Sequence, residues 1–274
     1  MNQISPILEP LADSRLALVG VGAIGRILLQ RLDVLHWPQQ QLILCDSDPV
    51  RGARLQQEFG HKTCPLADDC CRADVWLIAT PPAAVIPTLQ TIAPRLQPGH
   101  LVISFAAGVP VHCLEEAVPA GVAVARIMPN ALSLIGQGVN PVAYGRGCSL
   151  HALAQIQAIL NALGDSIVLP DEKMDWAVGL TGASMRWLLP VLEGMTEAGL
   201  DAGLTEADAR WMAAKMMAGV AALALETEMS FAEMKRLTSL QAADEEEIRQ
   251  IFRQAAHRAR AMAEEMKKEI GCED

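Results

Sequence analysis

A chain of 274 residues, 51% of them apolar, can bury a large core, and its length suits two modest domains. A net charge of −10 with no block of lysine or arginine excludes a nucleic-acid surface, because phosphate binding needs a basic field. Seven cysteines without Cys-x-x-Cys or Cys/His ligand spacing read as free thiols of a reducing cytoplasm and as no metal site, and the N-terminal stretch with Glu9 and Asp13 is neither signal peptide nor membrane anchor.

The first element organises the rest. Residues 16–19 are a short apolar run that ends at Gly20, as a buried parallel strand does, and Ile24, Leu28 and Leu32 then recur at helical spacing. Gly20-Val21-Gly22-Ala23-Ile24-Gly25 is therefore a strand-to-helix turn. Gly20 serves the tight turn, Gly22 the approach of a pyrophosphate to backbone, and Gly25 the packing of helix on strand. The helix N-terminus offers unpaired N–H groups to the anion. Asp46 closes the next strand, 42–45, near the spacing of a ribose-binding carboxylate. The acid favours NAD over NADP, but Ser47, Asp48 and Arg51 follow at once, and Arg51 or Arg54 could clamp a 2′-phosphate.

A helix is predicted over 49–59, with Pro49 in its first turn and Gly60 past its end. Cys70-Cys71 precedes the strand 75–79 and reads as structural rather than as a redox pair. Thr80-Pro81-Pro82 leads into a helix over 82–93. Strands follow at 101–105, before Ala106-Ala107-Gly108, and at 122–127, before Met128-Pro129-Asn130. An edge strand at 139–144, a helix at 151–163 and a last strand at 166–169 complete a doubly wound α/β domain, 1–170, whose ligand crevice lies at the carboxyl ends of the strands.

Beyond Pro170 the pattern is helical, giving a second, all-α domain over 171–274. The stretch 177–202 is apolar on most faces, as in a helix buried on several sides. Thr205, Ser230 and Asp244 read as caps of three further helices, the middle one running over 231–240. Met212, Met216 and Met217 read as core, and Glu193 and Glu197 as a solvated pair. His112 reads as a helix-start residue. Two such apolar helices exceed what one small domain covers, so a homodimer through the C-terminal helices is expected.

These residues resemble the pyrroline-5-carboxylate reductases. The likeness is carried by Gly20 to Gly25, by Phe105-Ala106-Ala107-Gly108-Val109 and above all by Arg126-Ile127-Met128-Pro129-Asn130, with Leu225-Glu226-Thr227 and Ala232-Glu233-Met234-Lys235 in the late helices. The resemblance implies a Rossmann domain followed by a helical dimerisation domain, with Thr80, Pro81, Ala107 and Asn130 against the nicotinamide half of NAD or NADP. It implies NAD(P)H-dependent reduction of a small cyclic imine in the cytoplasm. The segment that opens the family's long helix aligns with Thr181-Gly182-Ala183-Ser184-Met185-Arg186, which makes Thr181, Ser184 and Arg186 the candidate catalytic residues. The family's Ser-Pro-Gly-Gly-Thr-Thr loop, which holds the substrate carboxylate, is replaced by 238–244, followed by further acids. Arg186 either takes over that carboxylate or caps the helix structurally. A dinucleotide-binding regulatory or scaffold protein without turnover is the alternative reading.

Overall fold

The computed structural model describes residues 4–61, 63–66 and 72–272, so Cys70 and Cys71 lie outside the described residues. Strand β1 (Leu16–Val19) is four apolar residues buried on both faces, and Gly22 stands at the N-cap of helix α1 (Ala23–Val34). After β2 (Leu42–Cys45), Asp48 starts α2 (Pro49–Phe59) by accepting the N–H groups of Val50 (2.9 Å) and Arg51 (3.3 Å). Gly60 ends that helix in the left-handed conformation, φ 73°. The alternation continues through β3 (Val75–Ile78), α3 (Pro82–Ile92), β4 (Leu101–Ser104), the short α4 (Val111–Glu116) and β5 (Ala123–Ile127). It closes with β6 (Gly138–Tyr144), α5 (Leu150–Leu163) and β7 (Gly164–Val168).

The seven strands order as β2-β1-β3-β4-β5-β6-β7, parallel throughout except for β6 against β5. The strand expected at the edge is therefore interior, and β7 takes the edge. Two observations account for this. A Cβ on Gly164 would lie 2.4 Å from the Gly138 carbonyl oxygen, so only glycine lets the two backbones meet there. Buried Asn140 then ties the pair, its Nδ2 donating to the carbonyls of Gly138 (3.1 Å) and Asp165 (2.9 Å). Each face of the sheet carries its own core, one built on Leu18, Leu29, Leu77 and Ile159, the other on Trp76, Ile78, Leu89 and Leu114.

The helical half comprises α6 (Met174–Ala177), a π-helical turn (Val178–Gly182), α7 (Ser184–Asp201), α8 (Glu206–Glu226), α9 (Phe231–Lys235) and α10 (Glu245–Glu269). The single helix expected over 177–202 is thus interrupted. Thr181 Oγ1 donates to the Ala177 carbonyl at 2.9 Å, a back-bond that bends a helix and here accompanies the wider turn. Helix α9 ends at Lys235, short of residue 240, with Arg236 at its C-cap.

By contact density the chain divides into two compact units, Met1–Gly182 with His257–Asp274, and Ala183–Ala256. In the second, α7 and α8 form a close hairpin: a Cβ on Gly199 would stand 2.6 Å from the Ala209 methyl. Thr205 caps α8 as the sequence predicts, accepting the Asp208 N–H at 3.2 Å. The apolar residues of this hairpin are not its own core. Helix α7 has no buried residue and α8 only Ala209 and Ala213, while Met212 and Met216 are 54% and 61% exposed. The reading of these methionines as core is corrected: within one chain nothing covers them.

Candidate active site

The carboxyl ends of β2, β1, β3, β4 and β5 form one row, and the loops after them bring most of the candidate residues together. At its centre the glycine turn is fixed by steric contact. Gly20 has φ +84°, and a Cβ on it would sit 2.8 Å from the Ala79 carbonyl oxygen at the end of β3. A Cβ on Gly25 would lie 2.0 Å from the Gly20 carbonyl oxygen, so α1 leaves the strand only if that residue has no side chain. Gly22 differs from both: a Cβ there would meet nothing within 4 Å. This open cradle is bounded by the first turn of α1, where Ala23, Ile24 and Gly25 present N–H groups without intrahelical acceptors. Nearby, the Thr80 hydroxyl is buried with no hydrogen-bond partner, and Pro81 precedes α3. A backbone cradle free of side chains and an orphaned hydroxyl at the adjoining strand end both fit a dinucleotide.

Asp46 is placed differently from a simple ribose acceptor. Its carboxylate accepts the Val21 N–H (2.7 Å), the Asp48 N–H (2.9 Å) and the Arg51 guanidinium (3.0 Å), and its side chain is 2% exposed. It thereby holds the glycine turn to the end of β2, with Ser47 beginning the loop between. Arg51 also reaches Asp48 at 3.6 Å, so its charge is shared by two carboxylates. Asn130 is likewise committed to backbone: its Oδ1 accepts the Leu132 N–H at 3.0 Å and its Nδ2 donates to Val139 O at 3.1 Å. It shapes the loop after β5, while Ala107 lies in the loop after β4.

The arginine that opens the Arg126-Ile127-Met128-Pro129-Asn130 run is itself deeply engaged. Arg126, 1% exposed within β5, donates to Asp171 (3.2 Å) and Asp175 (3.1 Å). Asp171 in turn accepts the Val111 N–H at 2.7 Å. One guanidinium thus joins the central sheet, α4 and the start of the helical region. An arginine inside an apolar strand, with acids spaced i,i+4 downstream, was the available signal. The neighbouring cavity of about 960 Å³, lined by Arg126, Asp175, Arg260 and Glu264 among others, is an ion-pair network, since Arg260 pairs with Glu264.

Thr181 belongs to the first unit, and its hydroxyl is donated to Ala177. Ser184 and Arg186 belong to the second, in the first turn of α7; Arg186 is exposed, and its backbone N–H bonds the Ala183 carbonyl at 3.0 Å. The acids after 238–243 serve helix α10. Asp244 Oδ1 accepts the N–H groups of Glu246 and Glu247 at 3.0 Å each, Glu245 pairs with Lys235, and Glu246 with Arg249. Among the described residues no group of His, Cys, Asp or Glu is placed to hold a metal ion, and no helix is long and apolar enough to cross a membrane.

The mostly parallel sheet and its glycine turn define a nicotinamide-dinucleotide-binding protein. Residues 15–108 match the family model described as NADP oxidoreductase, coenzyme F420-dependent, and residues 171–266 match pyrroline-5-carboxylate reductase dimerisation. The pyrroline-5-carboxylate reductase of Corynebacterium melassecola is 28% identical over 269 residues, covering 92% of this chain and 98% of that protein. Among solved structures, Plasmodium falciparum pyrroline carboxylate reductase with NADP bound superposes with a TM-score of 0.81 at 17% identity, covering 93% of this chain and 99% of that one. The Coxiella burnetii pyrroline-5-carboxylate reductase gives 0.75 at 21%, over 92% and 98%. Over nearly its whole length the chain is thus similar to pyrroline-5-carboxylate reductases.

Proposed function

We propose that this chain reduces the C=N bond of a small cyclic imine, pyrroline-5-carboxylate or a close relative, in the cytoplasm, and does so as a homodimer. The observation that carries the reading is the side-chain-free cradle over Gly22 beside the orphaned Thr80 hydroxyl, in a chain similar to pyrroline-5-carboxylate reductases. When bound, a nicotinamide dinucleotide supplies a hydride to the imine carbon. The chain's own work is placement. Gly20, Gly22, Ala23, Ile24 and Gly25 seat the pyrophosphate, and Thr80, Pro81, Ala107 and Asn130 shape the nicotinamide end. Thr181 and Ser184 offer hydroxyls to the substrate, and Arg186 grips its carboxylate in place of the altered segment 238–244.

NADH is the preferred cofactor in this reading. A 2′-phosphate would have to draw Arg51 away from Asp46, leaving a carboxylate that is 2% exposed without its counter-charge, at a cost of several kcal/mol. The purified protein is therefore expected to oxidise NADH faster than NADPH with pyrroline-5-carboxylate, and the assay extends to other cyclic imines and 2-oxo acids. The altered segment favours a second reading, a dinucleotide-binding scaffold. Tight NADH and NADPH binding with no turnover on any of these substrates would support that reading instead.

Two variants examine the parts. Arg186→Ala, which removes a two-pronged charge-assisted contact, is expected to raise KM about tenfold or more and leave NADH affinity unchanged. An unchanged KM would make Arg186 a helix-start residue only. For the assembly, residues 171–274 supply the interface, and Met212, Met216 and Val220, each at least 54% exposed, recur at i,i+4 along α8. Met212→Lys with Met216→Lys is expected to sediment as a monomer where the wild type sediments as a dimer.

A further inference from the structure

Helix α10 ends in a left-handed glycine: Gly271 has φ 69°, and the Cys272 N–H bonds the Lys267 carbonyl at 3.2 Å. This cap fixes the Cys272 backbone and turns its side chain, 5% exposed, into the core cluster around Trp76. Cys113 on α4, 9% exposed, belongs to the same cluster. Cys272 is thus a buried neighbour of Cys113 in this cluster, and the His112 imidazole stands 3.3 Å from the Cys113 sulfur. The contact is part of a larger one. A Cβ on Gly108 would lie 3.2 Å from both the Lys267 nitrogen and the Met266 Cβ, so the last turns of α10 rest on the loop after β4 that carries Ala107. Two sulfurs from distant parts of the chain have been brought together, and neither takes part in the proposed reduction.

We propose that Cys113 and Cys272 are a redox-active dithiol, which a hydroperoxide converts to a disulfide that pins the end of α10 to α4. Burial and the neighbouring Cys272 push the Cys113 thiol up to about 12, so in place it stays protonated and unreactive. Cys272, just past the helix end, is the sulfur that fraying exposes. Its thiolate takes one peroxide oxygen, becoming a sulfenic acid while the other oxygen leaves as water. On re-docking, the Cys113 sulfur displaces that hydroxyl; the S–S bond forms, the Cys113 proton passes by way of His112 to the departing hydroxide, and a second water is released. Two thiols are oxidised and one peroxide is reduced. A small-molecule dithiol reverses the change.

The test uses the full chain, reduced, desalted, treated with a small excess of hydrogen peroxide, alkylated, and mapped by mass spectrometry without reductant. The expected result is a cross-linked peptide pair containing Cys113 and Cys272, cleaved by dithiothreitol, and an unfolding temperature raised by roughly 5–10 °C. Cys272→Ser should show neither. Recovery of both cysteines as alkylated thiols, or of Cys272 as a sulfinic acid with Cys113 alkylated, would overturn the proposal. The wild-type map alone decides it if the serine variant does not fold.

Discussion

Gly22→Ala is expected to fold like the wild type and to lose NADH binding by about 100-fold, whereas Gly25→Ala is expected to lose stability. The two glycines stand three residues apart in one turn, yet they face opposite surroundings. A methyl on Gly22 meets no protein atom within 4 Å, and its φ of −72° suits an alanine. Replacing glycine at this N-cap changes stability by less than about 1 kcal/mol. The methyl would occupy the space a pyrophosphate needs to reach the first-turn N–H groups, and two charge-assisted hydrogen bonds lost or lengthened are worth about 3 kcal/mol, a factor of ~100 in affinity. On Gly25 the methyl would stand 2.0 Å from the Gly20 carbonyl oxygen. Strand and helix must then separate, which costs about 3 kcal/mol or more. Calorimetric titration with NADH and chemical denaturation of the two variants check both halves. Equal loss of binding and stability in the two would show Gly22 to be a structural glycine.

Arg126→Met should be the most destabilising single substitution outside the glycine turn. The guanidinium is 1% exposed and answers Asp171 and Asp175, which are 26% and 14% exposed. Removing one partner of a buried ionic group leaves the other charges uncompensated, typically at 3–5 kcal/mol. The partial hydration of the two aspartates places the expected loss near the lower end, about 3 kcal/mol. The triple variant with Asp171→Asn and Asp175→Asn is expected to recover part of it, since the orphaned charges go and an amide oxygen can still accept the Val111 N–H. Urea midpoints at one fixed protein concentration measure this. A triple variant no more stable than Arg126→Met would mean that the cost lies in packing rather than in charge.

What the sequence showed and hid follows from the range of the forces involved. The turn from β1 to α1 was legible because its requirements are local: an apolar strand, glycines at fixed offsets, and helical spacing afterwards. The caps at Asp48 and Thr205 were legible for the same reason. The place of β6 was not, because strand direction and order depend on Gly164 meeting Gly138, which no periodicity records. The exposure of Met212 and Met216 was hidden because an apolar helix face reads alike in sequence whether or not its own chain covers it. That Asp46 follows directly on β2 was legible, but its commitment to Val21 and Arg51 arises from the loop's path. On the substrate side, Ser184 and Arg186 were reached only by resemblance, since a reaction in which the cofactor carries the chemistry leaves no acid–base signature to read.

The proposed reduction requires these strand ends to hold a nicotinamide ring against a C=N carbon. The test supplies NADH carrying deuterium at both C4 positions together with pyrroline-5-carboxylate and examines the product by mass spectrometry. The expected product is proline carrying one deuterium on the ring carbon that had been double-bonded to nitrogen. NADH consumed without deuterium in proline, or unlabelled proline formed, would contradict the proposed reduction.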